Sequence, residues 1–308
     1  MILTVTLNPT LDKLYIVDNF EKGEITRVGE VINTPGGKGL NVSKVLSLLG
    51  DETVATGFLG GYTGEYLRHL LSKSDVLADF VETDCETRTC INIRTGDEIH
   101  TQFLESGNEI SSGALEEFLS KYRELVKKAS MVVISGSATK GVPLTFYTDL
   151  ILYAKSQGKK VILDTSNELL RKNIGATPTL IKPNTDELEQ LFNRKITDVD
   201  DIIASAQKLR GLGIEAVAVS MGEDGAVLVC EQGVYRGIPP KITPVNTVGC
   251  GDSMVAGFAH SFLKNAAPEE ALRFAIALSA ANALSIKSGD FNKEDFCNLY
   301  GEVKVYKV

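Results

Sequence analysis

The segment Asn41-Val-Ser-Lys-Val-Leu-Ser-Leu-Leu-Gly50 is followed, after a short polar turn, by the apolar run Val54–Phe58. The first segment repeats apolar residues at the spacing of one helix face, at Val42, Val45, Leu46 and Leu49. Gly50 is a good helix end because glycine readily takes the left-handed conformation found there. The second run is short and typical of a buried strand. A helix that leads into a buried strand is the repeating unit of an α/β fold.

The same alternation continues along most of the chain. Further short apolar runs predict buried strands at Leu3–Leu7, Met131–Ser135, Val161–Asp164, Thr179–Ile181 and Ala216–Ser220. Helical patterns occur at Leu115–Lys128, Leu144–Ala154, Thr185–Phe192, Ile202–Leu212, Ser253–Leu263, Pro268–Lys287 and Lys293–Leu299, and a hairpin is predicted at Ala226–Cys230 and Gly233–Gly237. This alternation predicts an α/β fold whose mainly parallel central sheet is covered by helices on both faces.

Two segments break the alternation. Tyr15–Thr34 and Arg88–Leu104 contain β-branched residues with polar interruptions and no helical pattern, and the second contains a turn at Arg94-Thr-Gly-Asp97. Both segments predict antiparallel strands. Two strand-rich insertions in a helix-rich chain can form one small sheet outside the main layer, and a sheet beside a ligand site can act as a lid.

The composition describes a folded protein that repels polyanions. Of the 308 residues 43% are hydrophobic and 23% charged, the net charge is −8, and no run of Lys and Arg forms a basic patch. We therefore expect neither nucleic acid nor membrane as a partner, although a few placed cations would still bind a small anion. The five cysteines have no disulfide or zinc spacing. That pattern, with no secretory signal after Met1, predicts a cytoplasmic protein.

The most informative polar motif is Asn246-Thr-Val-Gly-Cys-Gly-Asp252, which leads into an apolar helix. The free N–H groups at a helix N-terminus attract an anion, and glycines allow a phosphate to approach the backbone. A carboxylate beside a phosphate is unfavourable, so Asp252 needs a function there. Removal of a proton from an attacking hydroxyl is one such function. The alternative is that Asp252 only caps the helix.

A second glycine-rich motif, Thr34-Pro-Gly-Gly-Lys-Gly-Leu-Asn41, precedes the helix described first. It has neither the spacing of a P-loop nor that of a dinucleotide-binding fingerprint. Its glycines favour close approach of the backbone to a polar ligand, with Lys38 and Asn41 as donors. The alternative is a tight turn that enters the helix.

Polar residues also follow other predicted strands. Asp12 lies beyond the first strand, where it could accept hydrogen bonds from sugar hydroxyls. Asn184 and Glu187 open a helix, where they predict either a capping box or a site for phosphates and magnesium. The turn Ser220-Met-Gly-Glu-Asp-Gly225 predicts a hairpin connection or one wall of a nucleotide site.

Two arginines, Arg27 and Arg88, lie in the two segments predicted to form the lid. A lone arginine is usually a solvated surface residue. Two guanidinium groups on an element that closes over an anion are better explained as a phosphate clamp, because their geometry matches that of a phosphate.

Together and in this order, the motifs resemble those of the ribokinase-like carbohydrate kinases, and within them the phosphofructokinase B branch. The matching motifs are Asn8-Pro9 with Asp12, Gly36-Gly37-Lys38-Gly39 with Asn41, Lys182-Pro183-Asn184 with Glu187, and Asn246–Asp252. The resemblance covers nearly the whole chain. It implies one kinase domain over residues 1–308, with a three-layer core, a mainly parallel central sheet and a small β-sheet lid formed by residues 12–34 and 88–106.

The resemblance also implies a role for each motif. Asp252 would be the general base that deprotonates the hydroxyl attacking the γ-phosphorus of ATP, and the amides of Gly249, Cys250 and Gly251 would form an anion hole. The sugar phosphate would be held by Asp12, Arg27, Gly37, Lys38, Asn41 and Arg88. The ATP site would contain Lys182, Asn184, Ser220, Gly222, Gly225 and Asn282. Glu187 would organise Mg²⁺.

The implied reaction is ATP-dependent phosphorylation of a ketohexose monophosphate to the bisphosphate. The segment Thr87–Ile93 is similar to that of tagatose-6-phosphate kinases, whereas Asn246-Thr-Val-Gly249 is closer to that of 1-phosphofructokinases. Tagatose 6-phosphate, fructose 1-phosphate and fructose 6-phosphate therefore all stay open as substrates. The alternatives are a kinase of an unphosphorylated sugar or nucleoside, and a non-catalytic protein that binds a sugar phosphate or nucleotide. The resemblance also implies a homodimer formed through the lid, with apolar residues such as Val31 and Ile91 facing the partner.

Overall fold

The computed structural model describes residues 1–96 and 100–308. Its strands are β1 (Ile2–Thr6), β2 (Thr10–Ile16), β3 (Glu30–Gly36), β4 (Thr53–Gly60), β5 (Leu77–Ala78), β6 (Val81–Thr83), β7 (Arg88–Arg94), β8 (His100–Leu104), β9 (Met131–Ser135), β10 (Lys160–Asp164), β11 (Leu180–Ile181), β12 (Ala216–Ser220), β13 (Ala226–Cys230), β14 (Gly233–Ile238) and β15 (Lys304–Lys307). Its α-helices are α1 (Lys38–Leu48), α2 (Gly61–Leu71), α3 (Ser112–Lys128), α4 (Phe146–Ser156), α5 (Asn167–Asn173), α6 (Thr185–Phe192), α7 (Val199–Arg210), α8 (Cys250–Leu263), α9 (Pro268–Ala283) and α10 (Lys293–Glu302).

The main sheet has the strand order β15-β14-β13-β12-β11-β10-β9-β1-β4-β5, and β6 also pairs with β4. The strands from β12 to β5 are parallel neighbours, whereas β13, β14 and β15 extend the sheet in antiparallel fashion. Every strand predicted from an apolar run is present. These runs are apolar throughout because a parallel sheet is buried on both faces.

Helices cover both faces of this sheet and give three layers. One face packs against α3, α4, α6 and α7, whose large side chains include the fully buried Phe118 and Tyr147. The other face packs against α1, α8 and α9, through side chains such as Val45 and Phe258. Burial of one such side chain contributes about 1.5–3 kcal/mol. The predicted α/β fold with a mainly parallel, doubly covered sheet is confirmed.

A separate small sheet has the order β3-β2-β7-β8. The pairs β2–β3 and β7–β8 are antiparallel, as predicted, but β2 and β7 pair in parallel. The prediction of antiparallel strands was therefore wrong for the pair β2 and β7. These two strands come from distant parts of the chain, so no hairpin turn forces them to run in opposite directions. The predicted turn at Arg94–Asp97 extends beyond the described residues, since Asp97 is not among them.

Within residues 1–96 and 100–308, no helix is both long enough and apolar enough to cross a bilayer.

Candidate active site

Polar residues from five neighbouring strands meet at one edge of the main sheet. The strands β12, β11, β10, β9 and β1 are adjacent and parallel, so their carboxyl ends lie together. Ser220, Asp164 and Ser135 end β12, β10 and β9, while Lys182 directly follows β11 and Asn8 lies two residues after β1. In an open α/β sheet this edge is where ligands bind.

The N-terminus of α8 opens toward this edge. Gly249 is its N-cap residue, with a left-handed φ of 88°, and a Cβ at this position would lie 2.8 Å from the amide nitrogen of Gly289. The amide of Cys250 donates to Thr247 O at 3.3 Å, whereas those of Gly249 and Gly251 have no acceptor among residues 1–96 and 100–308. Unpaired amides at a helix N-terminus form an anion site. Two of the three predicted anion-hole donors are therefore available to a ligand.

The thiol of Cys250 lies beside these amides without adding a charge. Burial raises its pKa to about 11. Its sulfur lies 3.5 Å from Asn282 Nδ2. The side chain is therefore a neutral thiol at physiological pH and adds no charge to the positive end of the helix.

Asp252, in the first turn of α8, is buried, with 6% of its surface exposed. Its Oδ2 accepts a hydrogen bond of 2.8 Å from Asn41 Nδ2 in α1. Its hydrogen-bond partner is thus in another helix, so Asp252 does more than cap α8. Burial raises the pKa of Asp252 to about 6, although the charge of Lys38 opposes the shift. A carboxylate that is ionised at neutral pH but more basic than usual is suited to general base catalysis.

A second carboxylate, Asp164, lies fully buried next to two lysines. Its oxygens lie 3.3 Å from Lys182 Nζ and 3.6 Å from Lys38 Nζ, and Ser135 Oγ donates to it at 3.2 Å. Burial opposes ionisation of Asp164, but the lysines outweigh it and its pKa falls below the ordinary value. Lys182 Nζ also reaches the α8 turn, since a Cβ on Gly251 would lie 3.3 Å from it. Both lysines therefore add positive charge beside the unpaired amides.

Lys38 opens α1 and its ammonium faces several carboxylates. Besides Asp164, the ammonium is 4.0 Å from Glu187 Oε1. The charge of Asp164, followed by those of Asp252 and Glu187, raises the pKa of Lys38, and burial opposes the shift. Because its charge acts on Asp252 as well as on Asp164 and Glu187, the grouping of Lys38 with the sugar-phosphate residues stays a prediction.

The start of α6 contains the predicted capping box. Asn184 Oδ1 accepts from the amide of Glu187 at 2.7 Å, and Glu187 Oε2 accepts from the amide of Asn184 at 2.9 Å. Asn184 also forms a β-bridge with Ser220. The described part of the chain contains no group of three acidic, His or Cys side chains placed to hold a metal. Magnesium in kinases needs only one or two carboxylates because phosphates and water complete its shell, so the partly exposed Glu187 fits that requirement, whereas Asp164 is fully buried and paired with two lysines.

Asp12 lines a small cleft between the small sheet and the segments next to α8 and α9. The cleft is also lined by Thr34, Asn92, Asn246 and Ser288. Burial raises the pKa of Asp12 to about 6, while the charges of Lys44 and Arg88 oppose the shift and that of Asp252 adds to it. Asn41 Oδ1 is buried without a partner among the described residues. Asp12 is therefore close enough to Asp252 for their charges to interact, and Asn41 is bonded to Asp252.

The two predicted clamp arginines differ in position. Arg88 Nη2 donates to Asn8 O at 2.9 Å and its Nη1 to Glu105 O at 2.7 Å, so the guanidinium joins the end of β1 to the segment after β8. Arg27 is exposed in the loop between β2 and β3 and forms no hydrogen bond or ion pair with any other described residue. The structure brings Arg88 to the site and leaves Arg27 outside it.

Asn282 and the two ATP-site glycines lie around the turns that frame the site. Asn282 Nδ2 donates to Val248 O at 3.0 Å, and its Oδ1 accepts from Ser253 Oγ at 3.0 Å. Asn282 therefore holds the α8 turn in place. Gly222 and Gly225 bound the tight turn after β12, next to Ser220. Gly37 is the N-cap residue of α1, directly before Lys38.

Sequence reasoning missed two charged residues of the site, Asp164 and Lys44. Asp164 had a usable signal, because it is a carboxylate at the carboxyl end of an otherwise apolar strand. Lys44 had none, since it occupies an ordinary polar position of a predicted amphipathic helix.

Comparisons with known proteins agree with this geometry. The family model for pfkB family carbohydrate kinases matches residues 5–294. Tagatose-6-phosphate kinase from Staphylococcus epidermidis is 39% identical over 311 aligned residues that cover 100% of both chains. Phosphofructokinase-2 from Escherichia coli, solved in complex with fructose-6-phosphate, is 30% identical with a TM-score of 0.89 over 98% of each chain. A Thermotoga maritima structure, described as a possible 1-phosphofructokinase, is 28% identical with a TM-score of 0.88 and covers 100% of this chain and 99% of its own.

These matches confirm both the resemblance and the phosphotransferase class predicted from the motifs. The family model and the full-length relative each extend over nearly all of the sequence. The chain belongs to the pfkB family of carbohydrate kinases.

Proposed function

We propose that this protein is an ATP- and Mg²⁺-dependent kinase that phosphorylates a ketohexose monophosphate to the bisphosphate, with tagatose 6-phosphate as its preferred substrate. The observation that carries the proposal is the buried carboxylate of Asp252, bonded to Asn41 beside the unpaired amides of α8. The choice among ketohexose phosphates is supported by the full-length similarity to a tagatose-6-phosphate kinase.

In this mechanism Asp252 Oδ accepts the proton of the sugar hydroxyl. The hydroxyl oxygen then forms its bond to the γ-phosphorus as the bond to the β,γ-bridging oxygen of ATP breaks, and ADP leaves. The amides of Gly249 and Gly251 donate to the oxygens of the transferred group. A donor of this kind contributes about 3–4 kcal/mol to stabilisation of the transition state in other enzymes. Lys182 adds charge at the same turn.

The nucleotide binds along the edge formed by Lys182, Asn184 and Ser220, with Gly222, Gly225 and Asn282 shaping the surrounding turns. Glu187 would hold Mg²⁺ directly or through water, and the ion would neutralise charge on the phosphates when bound. Lys38 lies between Asp164 and Glu187 and is placed to pair with both carboxylates.

The sugar phosphate occupies the cleft beneath the small sheet. Asp12 and Asn41 bind its hydroxyls, and Gly37 allows the backbone to approach it. Arg88 binds the phosphate with the N–H groups that its backbone contacts leave unused. Arg27 joins Arg88 only when the exposed loop at residues 17–29 moves over the cleft.

We also propose a homodimer through the small sheet, with the lid over residues 12–34 and 88–106. Of the apolar residues predicted to face a partner, Val31 is exposed, Val17 is buried, and Ile16, Ile32, Ile91 and Ile93 are half-buried. Ile25 and Phe103 add further exposed apolar surface. Exposed apolar side chains on an ordered sheet support a protein interface.

The test is a coupled assay of ADP release that compares specificity constants for tagatose 6-phosphate, fructose 6-phosphate and fructose 1-phosphate. Fructose and adenosine serve as unphosphorylated controls. We expect tagatose 6-phosphate to give the highest constant and the controls to give the lowest, because only a phosphate engages Arg88. A higher constant for fructose or adenosine contradicts the proposal in favour of the unphosphorylated alternative. Absence of ADP release with every sugar contradicts catalysis itself.

A further inference from the structure

Lys44, in α1, extends beneath the cleft and joins its two walls. Its Nζ donates to Pro35 O at 2.9 Å and to Ser288 O at 2.7 Å. Pro35 belongs to β3 of the small sheet, and Ser288 lies in the segment after α9 that lines the opposite wall. One ammonium group is therefore bonded to the backbone on both sides of the space that the sugar phosphate would enter.

The lysine stem has little freedom to take another position. Gly289 packs against it, with a left-handed φ of 64°, and a Cβ at this position would lie 2.8 Å from Lys44 Cε and 2.9 Å from Asn41 Cα. Asn41 is one turn earlier in the same helix and donates to Asp252. The position of Lys44 is thus fixed by the packing that also fixes the partner of the general base.

Four charged side chains act on the ammonium of Lys44. The carboxylates of Asp12, Asp252 and Asp290 favour its charged form, and the cation of Lys287 opposes it. Burial outweighs these carboxylates and lowers the pKa of Lys44 to about 8. The charge of Asp252 raises the pKa of Asp12 and that of Lys44 lowers it, so the cation of Lys44 offsets a repulsion between two buried carboxylates.

We propose that Lys44 is a positioning residue for the acceptor sugar, which fixes the separation of the two cleft walls and balances the charges of Asp12 and Asp252. The proposal rests on the proposed function, because it assumes that the sugar phosphate enters this cleft. It assigns Lys44 no contact with ATP, which binds at the other side of Asp252.

The experiment compares Lys44→Met and Lys44→Arg with the wild type, and uses Lys128→Met at the exposed end of α3 as a matched control. In Lys44→Met we expect KM for the sugar phosphate to rise about tenfold, because the loss of one charge-assisted hydrogen bond weakens binding by about that factor. The KM for ATP should change by less than about twofold. The apparent pKa on the acidic side of the kcat/KM profile should rise by about one unit. Asp12 and Asp252 lose a neighbouring cation, and this loss raises the pKa of a carboxyl group. Lys128→Met should behave as the wild type.

Lys44→Arg separates the charge from a general effect on packing. The wild type should lose activity as the pH rises above about 8, where Lys44 deprotonates. Arginine remains charged at that pH, so Lys44→Arg should keep its activity there. If Lys44→Met does not fold, Lys44→Gln replaces it, since its amide can still donate to a carbonyl but has no charge.

The proposal is overturned if KM for both substrates rises equally with an unchanged pH profile, or if Lys44→Arg loses activity above pH 8 as the wild type does. These outcomes are comparisons between variants and the wild type. Failure of the proposed function would appear instead in the wild type alone, as absence of turnover with every sugar phosphate.

Discussion

Asn41 Nδ2 and Asp252 Oδ2 are joined by a hydrogen bond of 2.8 Å between the first turns of two helices. The amide favours the ionised form of the carboxylate, whereas burial favours the neutral form, and the pKa of Asp252 settles at about 6. The bond also fixes the direction in which the carboxylate points. Asp252 is thereby both oriented and poised to accept a proton near neutral pH.

The first prediction concerns the pH dependence of kcat/KM for the sugar phosphate. Activity should rise with pH through about 6, because Asp252 and Asp12 must both be ionised and each has a pKa of about 6, and should stay level until Lys44 deprotonates at about pH 8. The two carboxylates interact, so the measured value belongs to the pair. Asn41→Ala should shift this rise to higher pH because it removes a donor to the ionised form. A profile that stays flat down to pH 4.5 would contradict the assignment.

The second prediction concerns the stability of Asp252→Asn. The folded-state pKa of Asp252 lies above the ordinary value of 3.8, so the group destabilises the fold once it is ionised. A rise from 3.8 to about 6 corresponds to about 3 kcal/mol. The variant should therefore have a higher free energy of unfolding than the wild type at pH 8. The difference in the free energy of unfolding between the variant and the wild type should shrink as the pH falls from 6 to 3.8. Urea unfolding at pH 8 and pH 4.5 measures it, and equal stability at pH 8 would argue against a buried, ionised Asp252.

The third prediction separates the two roles of Glu187. Glutamine also completes a capping box, so Glu187→Gln should keep the melting temperature of the wild type. It loses a carboxylate charge, and the Mg²⁺ concentration required for half-maximal activity should rise about tenfold. Asp186→Asn, an equal charge change at an exposed position of the same turn, is the control. An unchanged Mg²⁺ requirement in Glu187→Gln would contradict the proposal that Glu187 binds Mg²⁺.

The fourth prediction concerns the oligomeric state. Light scattering at assay concentration should give twice the chain mass, because Ile25 is 91% exposed and Val31 48% exposed on or beside the small sheet. Val31→Asp should weaken the dimer, whereas Tyr306→Asp on the edge strand β15 should not. A monomeric mass for the wild type would exclude the dimer.

The fold was largely predictable because its signal is local. A parallel sheet buried on both faces needs short apolar strands, and Met131–Ser135 and Ala216–Ser220 are visible as such in the sequence. Helix α2 was not predicted, because it begins Gly61-Tyr-Thr-Gly64 and glycine is a poor helix former. Its first amides are instead satisfied by Glu86, which accepts from Thr63 N at 2.6 Å. That partner is distant in sequence and has no local signature.

The residues of the site also differ in whether a local sequence pattern predicts their positions. Asp252 and the capping pair Asn184 and Glu187 belong to short motifs, so their positions could be inferred. The location of Lys38 between Asp164 and Glu187 depends on how separate strands meet in the sheet, which no local pattern specifies. The parallel pairing of β2 with β7 depends in the same way on long-range topology.

The central claim is that Asp252 is the general base of a sugar-phosphate kinase. The most direct measurement is a single-turnover experiment on Asp252→Asn with tagatose 6-phosphate and ATP, together with the Kd for ATP. The account predicts a fall in the rate of phosphoryl transfer of about 10²–10⁴-fold, the range of general base catalysis, with the Kd for ATP within about twofold of the wild type. A wild-type rate of transfer in Asp252→Asn would contradict it.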